Sequence, residues 1–137
     1  LKKVVIDTNV LLVSISDRSK LHWVFEYLIA KKYYLCVTAD ILAEYAEVIE
    51  RFMGVEASER IMGVIENLEN IQYVTSYYKF HLFTDEDDNK FVDCAIAVNA
   101  DYIVSHDKDF NLLKTVKFPS ILVIDTTTFK TDLENNI

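Results

Sequence analysis

Glycine and proline are almost missing from this chain. Two Gly and one Pro in 137 residues leave nothing from which to build a Gly- or Pro-rich linker, and they argue against disorder. With Gly54 and Gly63 alone there is no Walker loop, no GxGxxG fingerprint and no GxSxG nucleophile turn. Cysteine is reduced to Cys36 and Cys94, one in an expected strand and the other in an expected helix. They read as buried free thiols rather than a disulfide or metal pair, which makes a reducing cytoplasm the expected compartment. His22, His81 and His106 share no metal-ligand spacing, although His106 lies beside Asp107 and within reach of any substrate there. Ser105 has no obvious base and is not a nucleophile candidate. No apolar run approaches the roughly 18 residues of a membrane span, so no membrane partner is expected. Lys2-Lys3 leads into a short strand and not a secretory signal. The chain opens on Leu1, so a few residues upstream are expected.

Positive charge is also scarce. Fourteen Lys and Arg face 22 Asp and Glu, a net charge of −8. Proteins that hold nucleic acid by neutralising phosphates usually carry the opposite balance. The acids are then a solvated surface, a face for a basic partner segment, or a group converging on a divalent cation, which inverts the local field.

What the chain does have is apolar residues in regular patterns. Half of it is hydrophobic, and its length fits one domain, 1–137. Lys3–Ile6 reads as a buried strand and 7–20 as a turn or short helix. Leu21, Val24, Phe25, Leu28 and Ile29 mark a helix ending near Lys31-Lys32. Tyr33–Val37 is a second strand. Thr38 or Asp40 caps a helix with Ile41, Leu42, Tyr45, Val48, Ile49 and Phe52 inward, ended by Gly54. Ser58 caps the next, with Ile61, Val64, Ile65 and Leu68 inward. Ile71–Val74 is a strand, and Thr75–Phe83 is ambiguous. The acidic run from Thr84 to Asp88 opens a helix burying Phe91, Val92, Ala95 and Ile96. Strand Tyr102–Ser105, a short helix around Phe110–Leu113, strand Ile121–Ile124 and a helix over Thr126–Leu133 complete the chain. Alternating strands and helices predict an α/β fold: a central parallel β-sheet with helices on both faces.

In such a sheet the ligand crevice lies outside the carboxyl ends of the strands. Asp7 follows Val4-Val5-Ile6 directly, and Asp107 follows Tyr102-Ile103-Val104-Ser105. If those strands are neighbours, the two carboxylates meet. Asp87 and Asp88 sit at a helix start, where the dipole favours an acid and Asp87 reads as a plain N-cap. Asp93 interrupts the apolar stretch Phe91–Val98, so it sits at a rim or beside a cation. Spacing alone gives Glu44 a solvated helix face, like Glu47 and Glu50. Gathered carboxylates raise one another's pKa, and a hard divalent ion such as Mg²⁺ or Mn²⁺ relieves that repulsion. An acidic cluster therefore predicts metal. A phosphatase of the aspartyl type would want a second Asp where Asn9 stands.

Taken together, these stretches resemble the PIN-domain family, in particular the bacterial VapC-like ribonucleases of toxin–antitoxin pairs. The matching pieces are Val5-Ile6-Asp7-Thr8-Asn9, Ile41-Leu42-Ala43-Glu44-Tyr45, Asp87-Asp88-Asn89-Lys90-Phe91-Val92-Asp93-Cys94-Ala95 and Ala100–Phe110 with Ser105-His106-Asp107. They cover Val4 to about Phe129. The resemblance implies a single PIN-like domain and a Mg²⁺- or Mn²⁺-dependent endoribonuclease whose products carry 5′-phosphate and 3′-hydroxyl ends. Asp7, Glu44, Asp88 and Asp107 then form the catalytic, metal-binding quartet. Asp88 matches the third acid best, with Asp93 a competitor for that place or an additional metal ligand. Asn9 and Ser105 match supporting positions, Ser105 where the family often has Thr. RNA is the implied substrate, with a cognate antitoxin and a second copy of the chain as implied protein partners. Arg18, Lys20, Lys90, Lys108, Lys114 and Lys117 are the cations expected near the crevice rim. The alternative is a catalytically inactive PIN-fold protein acting as a partner-binding module.

Overall fold

The computed structural model describes residues 1–75, 79, 86–110 and 121–135. In chain order these form β1 (Lys3–Ile6), α1 (Thr8–Ile15), α2 (His22–Ile29), β2 (Tyr34–Val37), α3 (Ala39–Met53) and α4 (Val55–Glu66). Then follow β3 (Ile71–Tyr73), α5 (Glu86–Val98), β4 (Tyr102–Val104), β5 (Val123–Ile124) and α6 (Thr126–Asn135). The strands make one all-parallel sheet in the order β3-β2-β1-β4-β5. The chain builds outward from β1 through β2 to β3, then crosses back to lay β4 on the other side of β1. The direction of winding thus reverses between β1 and β4, the point at which a doubly wound sheet opens a crevice at its carboxyl edge.

Val4, Val5 and Ile6 are all fully buried. Successive strand residues point to opposite faces, so both faces of the sheet are covered, as the continuous β-branched run implies. α5 packs on β1, β2 and β4 and also touches α3, while α1 packs on α2 and α3. Phe129 of α6 closes an aromatic cluster, its ring 5.1 Å from Tyr33, 5.4 Å from Trp23 and 5.7 Å from Tyr102.

Local signals set the helix ends. The Thr38 hydroxyl accepts from the Ile41 N–H at 3.2 Å, so Thr38 and not Asp40 caps α3. Asp40 lies in its first turn and Arg51 in its last, both on the favourable side of the dipole. Gly54 ends α3 with φ +96°, a conformation that favours glycine, and it also begins α4. Ser58 is therefore not a cap. It sits inside the first turn of α4 and donates to the Ala46 carbonyl at 2.9 Å, fastening α4 to α3.

Three residues expected to face inward do not. Ile41, Tyr45 and Ile49 make the narrow buried stripe of α3, and Phe52, beyond its end, is 68% exposed. Met62 takes the place expected for Val64, which stands about 100° round the helix from buried Ile65. Ile29, the last residue of α2, is also exposed. The fifth strand is shorter than its apolar run. Most of the ambiguous Thr75–Phe83 stretch, the start of the acidic run, and residues 111–113 of the expected short helix lie outside the described residues. The turn at 108–110 is the described part of that helix.

Tyr45 is fully buried and its hydroxyl donates to the Ile6 carbonyl, tying α3 to the carboxyl end of β1. Tyr45→Phe should lower stability by about 1 kcal/mol, read as a reduced urea midpoint at unchanged slope. Cys36 and Cys94 are free and fully buried. Burial pushes the Cys36 thiol up to about 11 and the Cys94 thiol up to about 12. In native protein at pH 8 both should resist alkylation by iodoacetamide, and both should react at once in denaturant, as mass spectrometry would count.

Candidate metal centre

The site grows out of one register. Ile6 lies opposite Val104, so the residues that follow leave the sheet side by side. The Asp7 N–H donates to the Val104 carbonyl at 3.0 Å, extending the ladder by one bond. The Ser105 hydroxyl donates to Asp7 Oδ2 at 2.9 Å and accepts from the Asp107 N–H at 3.0 Å. A single buried hydroxyl thus links the two acids that end neighbouring strands. The chain then turns tightly: the Asp109 N–H donates to Asp107 Oδ1 at 2.9 Å, and buried Phe110 anchors the turn.

α5 brings Asp88 to this turn. Carboxylate oxygens of Asp88, Asp107 and Asp109 all lie within 4.8 Å of one another. Asp109 was not expected from the sequence; the signal was there in the alternation Asp107-Lys108-Asp109, two acids on one side of a tight turn. Glu44 approaches from α3. The Thr8 hydroxyl donates to its Oε2 and Lys90 Nζ donates to its Oε1 at 2.6 Å. Lys90, a cation expected near the crevice rim, lines the cleft there with its ammonium bound to Glu44. Asp7 senses both neighbours. Burial raises its pKa above the ordinary 3.8, the charges of Asp107 and Glu44 raise it further, and hydrogen bonds from Ser105 and the Thr8 N–H oppose them.

Asp93 is placed differently. It is buried, five residues beyond Asp88 and so about 140° round the helix. With Asn89 and Lys90 it lines a cleft of about 740 Å³ between α5 and α3, whose opposite wall includes Glu44 and Glu47. The cluster with Asp107 contains Asp88, while Asp93 faces the cleft. Asn9 is exposed in the first turn of α1. His106 turns away from the acids: its Nε2 accepts from the Thr126 N–H at 3.3 Å and meets the Thr126 hydroxyl at 2.9 Å, at the start of α6. His22 Nδ1 is bound to the Ser14 carbonyl at 2.8 Å. Among the expected rim cations Arg18, Lys20 and Lys108 are exposed, and Lys114 and Lys117 lie outside the described residues, as does His81.

The donor set is uniformly hard oxygen. Three carboxylates within reach of one ion, with Asp7 close enough to Asp107 and Glu44 to feel both charges, suit a hard divalent cation and no soft metal.

A family model described as PIN domain matches residues 3–109. The chain belongs to the PIN-domain family. Solved structures agree on the fold at low identity. VapBC2 from Rickettsia felis, bound to a DNA fragment from its promoter, is 18% identical with a TM-score of 0.64, covering 90% of this chain and 98% of that one. VapC20 of Mycobacterium tuberculosis, a Sarcin-Ricin loop cleaving toxin, is 15% identical with a TM-score of 0.60, covering 83% and 97%. DNA-bound VapBC from Salmonella typhimurium is 16% identical with a TM-score of 0.60, covering 91% and 98%. A comparison with curated protein sequences finds no match.

The raised pKa of Asp7 has a consequence for stability. The native state binds this proton more tightly than the unfolded chain, so stability falls as pH rises from 3.8 through the raised value. At neutral pH the ionised carboxylate subtracts from stability. Without added metal, Asp7→Asn should therefore melt a few degrees above wild type at pH 7, and the gap should close as pH falls towards 4, by differential scanning calorimetry.

Proposed function

We propose that this PIN-domain chain, read as a single domain over 1–137, is a metal-dependent endoribonuclease and the toxin of a toxin–antitoxin pair. The observation that carries the reading is the convergence of Asp88, Asp107 and Asp109 at the β1/β4 switch point, with Asp7 beside them. Asp7, Glu44, Asp88 and Asp107 would hold Mg²⁺ or Mn²⁺, with Asp109 joining them and Asp93 serving the cleft. Such an ion supplies Lewis acidity to the RNA phosphodiester and to a water molecule beside it.

The chain's own residues do the rest. Ser105 fixes the Asp7 carboxylate by donating to Oδ2. Thr8 holds one oxygen of Glu44. The tight turn after Asp107 aims two carboxylates from three residues of chain. Asn9, exposed in the first turn of α1, would serve as a supporting residue. Hydrolysis by in-line attack would leave a 5′-phosphate and a 3′-hydroxyl.

Two resemblances support the biological setting. VapC20 is named as a Sarcin-Ricin loop cleaving toxin, and two of the neighbours are VapBC assemblies, so an RNA substrate and an antitoxin partner are the parallels to test here. A homodimer belongs to the same reading. Among the described residues no helix is long and apolar enough to cross a membrane. The cytoplasm is the compartment that suits buried thiols and an RNA target.

Calorimetry with Mn²⁺, run beside a cleavage assay on a structured RNA pool, tests the reading. Wild type should bind Mn²⁺ and cut. Asp88→Asn and Asp107→Asn should each lose at least about 100-fold in cleavage while keeping their circular dichroism. Mn²⁺ binding with no cleavage of any RNA would favour the inactive, partner-binding module instead.

A further inference from the structure

The Glu44–Lys90 pair is more buried than the Lys31–Glu69 and Arg51–Glu47 pairs. Its N···O distance is 2.6 Å and its side chains are only 21% and 18% exposed. Arg51–Glu47, one turn along the same helix, spans 3.0 Å with side chains 61% and 70% exposed. An exposed pair of that kind contributes little. A largely buried one beside other carboxylates is weighted more heavily, because water screens it less.

Both oxygens of Glu44 already carry a donor, Thr8 on Oε2 and Lys90 on Oε1. The two donors differ in freedom. Thr8 is buried in the first turn of α1 and is held by the helix that follows Asp7. Lys90 reaches Glu44 on a flexible four-carbon stem. A divalent ion arriving at Glu44 meets a like charge at contact distance, the Lys90 ammonium, whereas the Thr8 hydroxyl is neutral and does not repel it. Lys90 also stands two residues after Asp88, so α5 carries both a member of the acidic cluster and the cation that offsets it.

We propose that Lys90 is a resident competitor for the cation at Glu44: its ammonium neutralises the carboxylate in the metal-free protein and yields when a divalent ion binds. This rests on the reading of Glu44 as a metal ligand given above. Lys90 is in these terms a positioning residue. It makes the metal-free site tolerable, and it weakens metal affinity in return.

The test is Mn²⁺ calorimetry on wild type, Lys90→Met, Lys90→Arg and, as a control for net charge, Arg51→Met. Lys90→Met should bind Mn²⁺ about tenfold more tightly, the equivalent of about 1.4 kcal/mol, and should melt lower than wild type without metal. Lys90→Arg should stay within about twofold of wild type, and so should Arg51→Met. Unchanged or weaker binding by Lys90→Met overturns the proposal, and so does equal tightening by Arg51→Met. Should Lys90→Met fail to fold, the wild type decides: on Mg²⁺ titration the Lys90 side-chain methylene NMR signals should shift with the same midpoint as binding, and signals that stay still overturn the idea. A wild type that binds no Mn²⁺ sinks the metal-nuclease reading and this one together. Metal binding with an indifferent Lys90→Met sinks this one alone.

Discussion

The parallel pairing of β1 with β4 is the constraint on which the site depends. It is pinned at both ends. At the start, the Lys3 N–H donates to Asp101 Oδ2 and the Asp101 N–H donates to the Lys3 carbonyl, each at 2.8 Å. At the finish, the Asp7 N–H reaches Val104 at 3.0 Å. Between them run six side chains, Val4 to Ile6 and Tyr102 to Val104, all buried. A slip of one residue would send each of these to the opposite face and carry Asp7 away from Ser105. Burial of apolar surface thereby fixes the position of a polar site that contributes nothing to that burial.

The polar site works against the fold that holds it. Asp7 sits where desolvation and two neighbouring acids all oppose its charge, and only Ser105 and a backbone N–H favour it. Carboxylates gathered this way stay ionised together when something cationic stands among them. Lys90 supplies one such charge on Glu44, and a divalent ion would supply more. The hydrogen bonds around the cluster therefore orient more than they stabilise: Ser105 ties Asp7 to the backbone of Asp107, and the Asp109 N–H ties down Asp107 itself.

The strands and the acids that end them were legible in the sequence because one physical rule governs both. A β-branched run is buried on two faces, and the first charged residue after it must emerge at the sheet edge. Asp7 and Asp107 follow from that rule. Glu44 does not, because helical spacing gives it the same apparent exposure as Glu47 and Glu50; what distinguishes it is contact with Thr8 and Lys90, which are 36 residues before it and 46 after it. Family resemblance, rather than periodicity, singled it out. Asp88 and Asp93 could not be separated by composition, since both lie on α5, and the 140° between them matters only once the facing elements are known. The inward faces of α3 and α4 were overestimated at Phe52 and Val64 for a related reason: apolar character marks a residue as suited to burial, but the partner surface decides whether burial is available.

The charge of the whole chain and the chemistry of the site can be reconciled by distance. A net charge of −8 repels RNA only over the Debye length, about 8 Å at physiological ionic strength. Closer in, the sign is set by the nearest groups. The cleft between α3 and α5 places Lys90 and Arg51 against Glu44, Glu47 and Asp93, so its lining is mixed rather than uniformly acidic. On the proposed reading, a divalent ion at Asp7, Asp88 and Asp107 would reverse the field on the other side of Glu44. RNA would then meet favourable potential only after metal had bound, and the acidic surface would serve to discourage strands from lodging in a crevice not yet able to cut them. Glu44 stands at the boundary between these two regions, touching Lys90 on one side and Thr8, the neighbour of Asp7, on the other. On the proposed reading, its carboxylate is where an arriving ion and the Lys90 ammonium would compete.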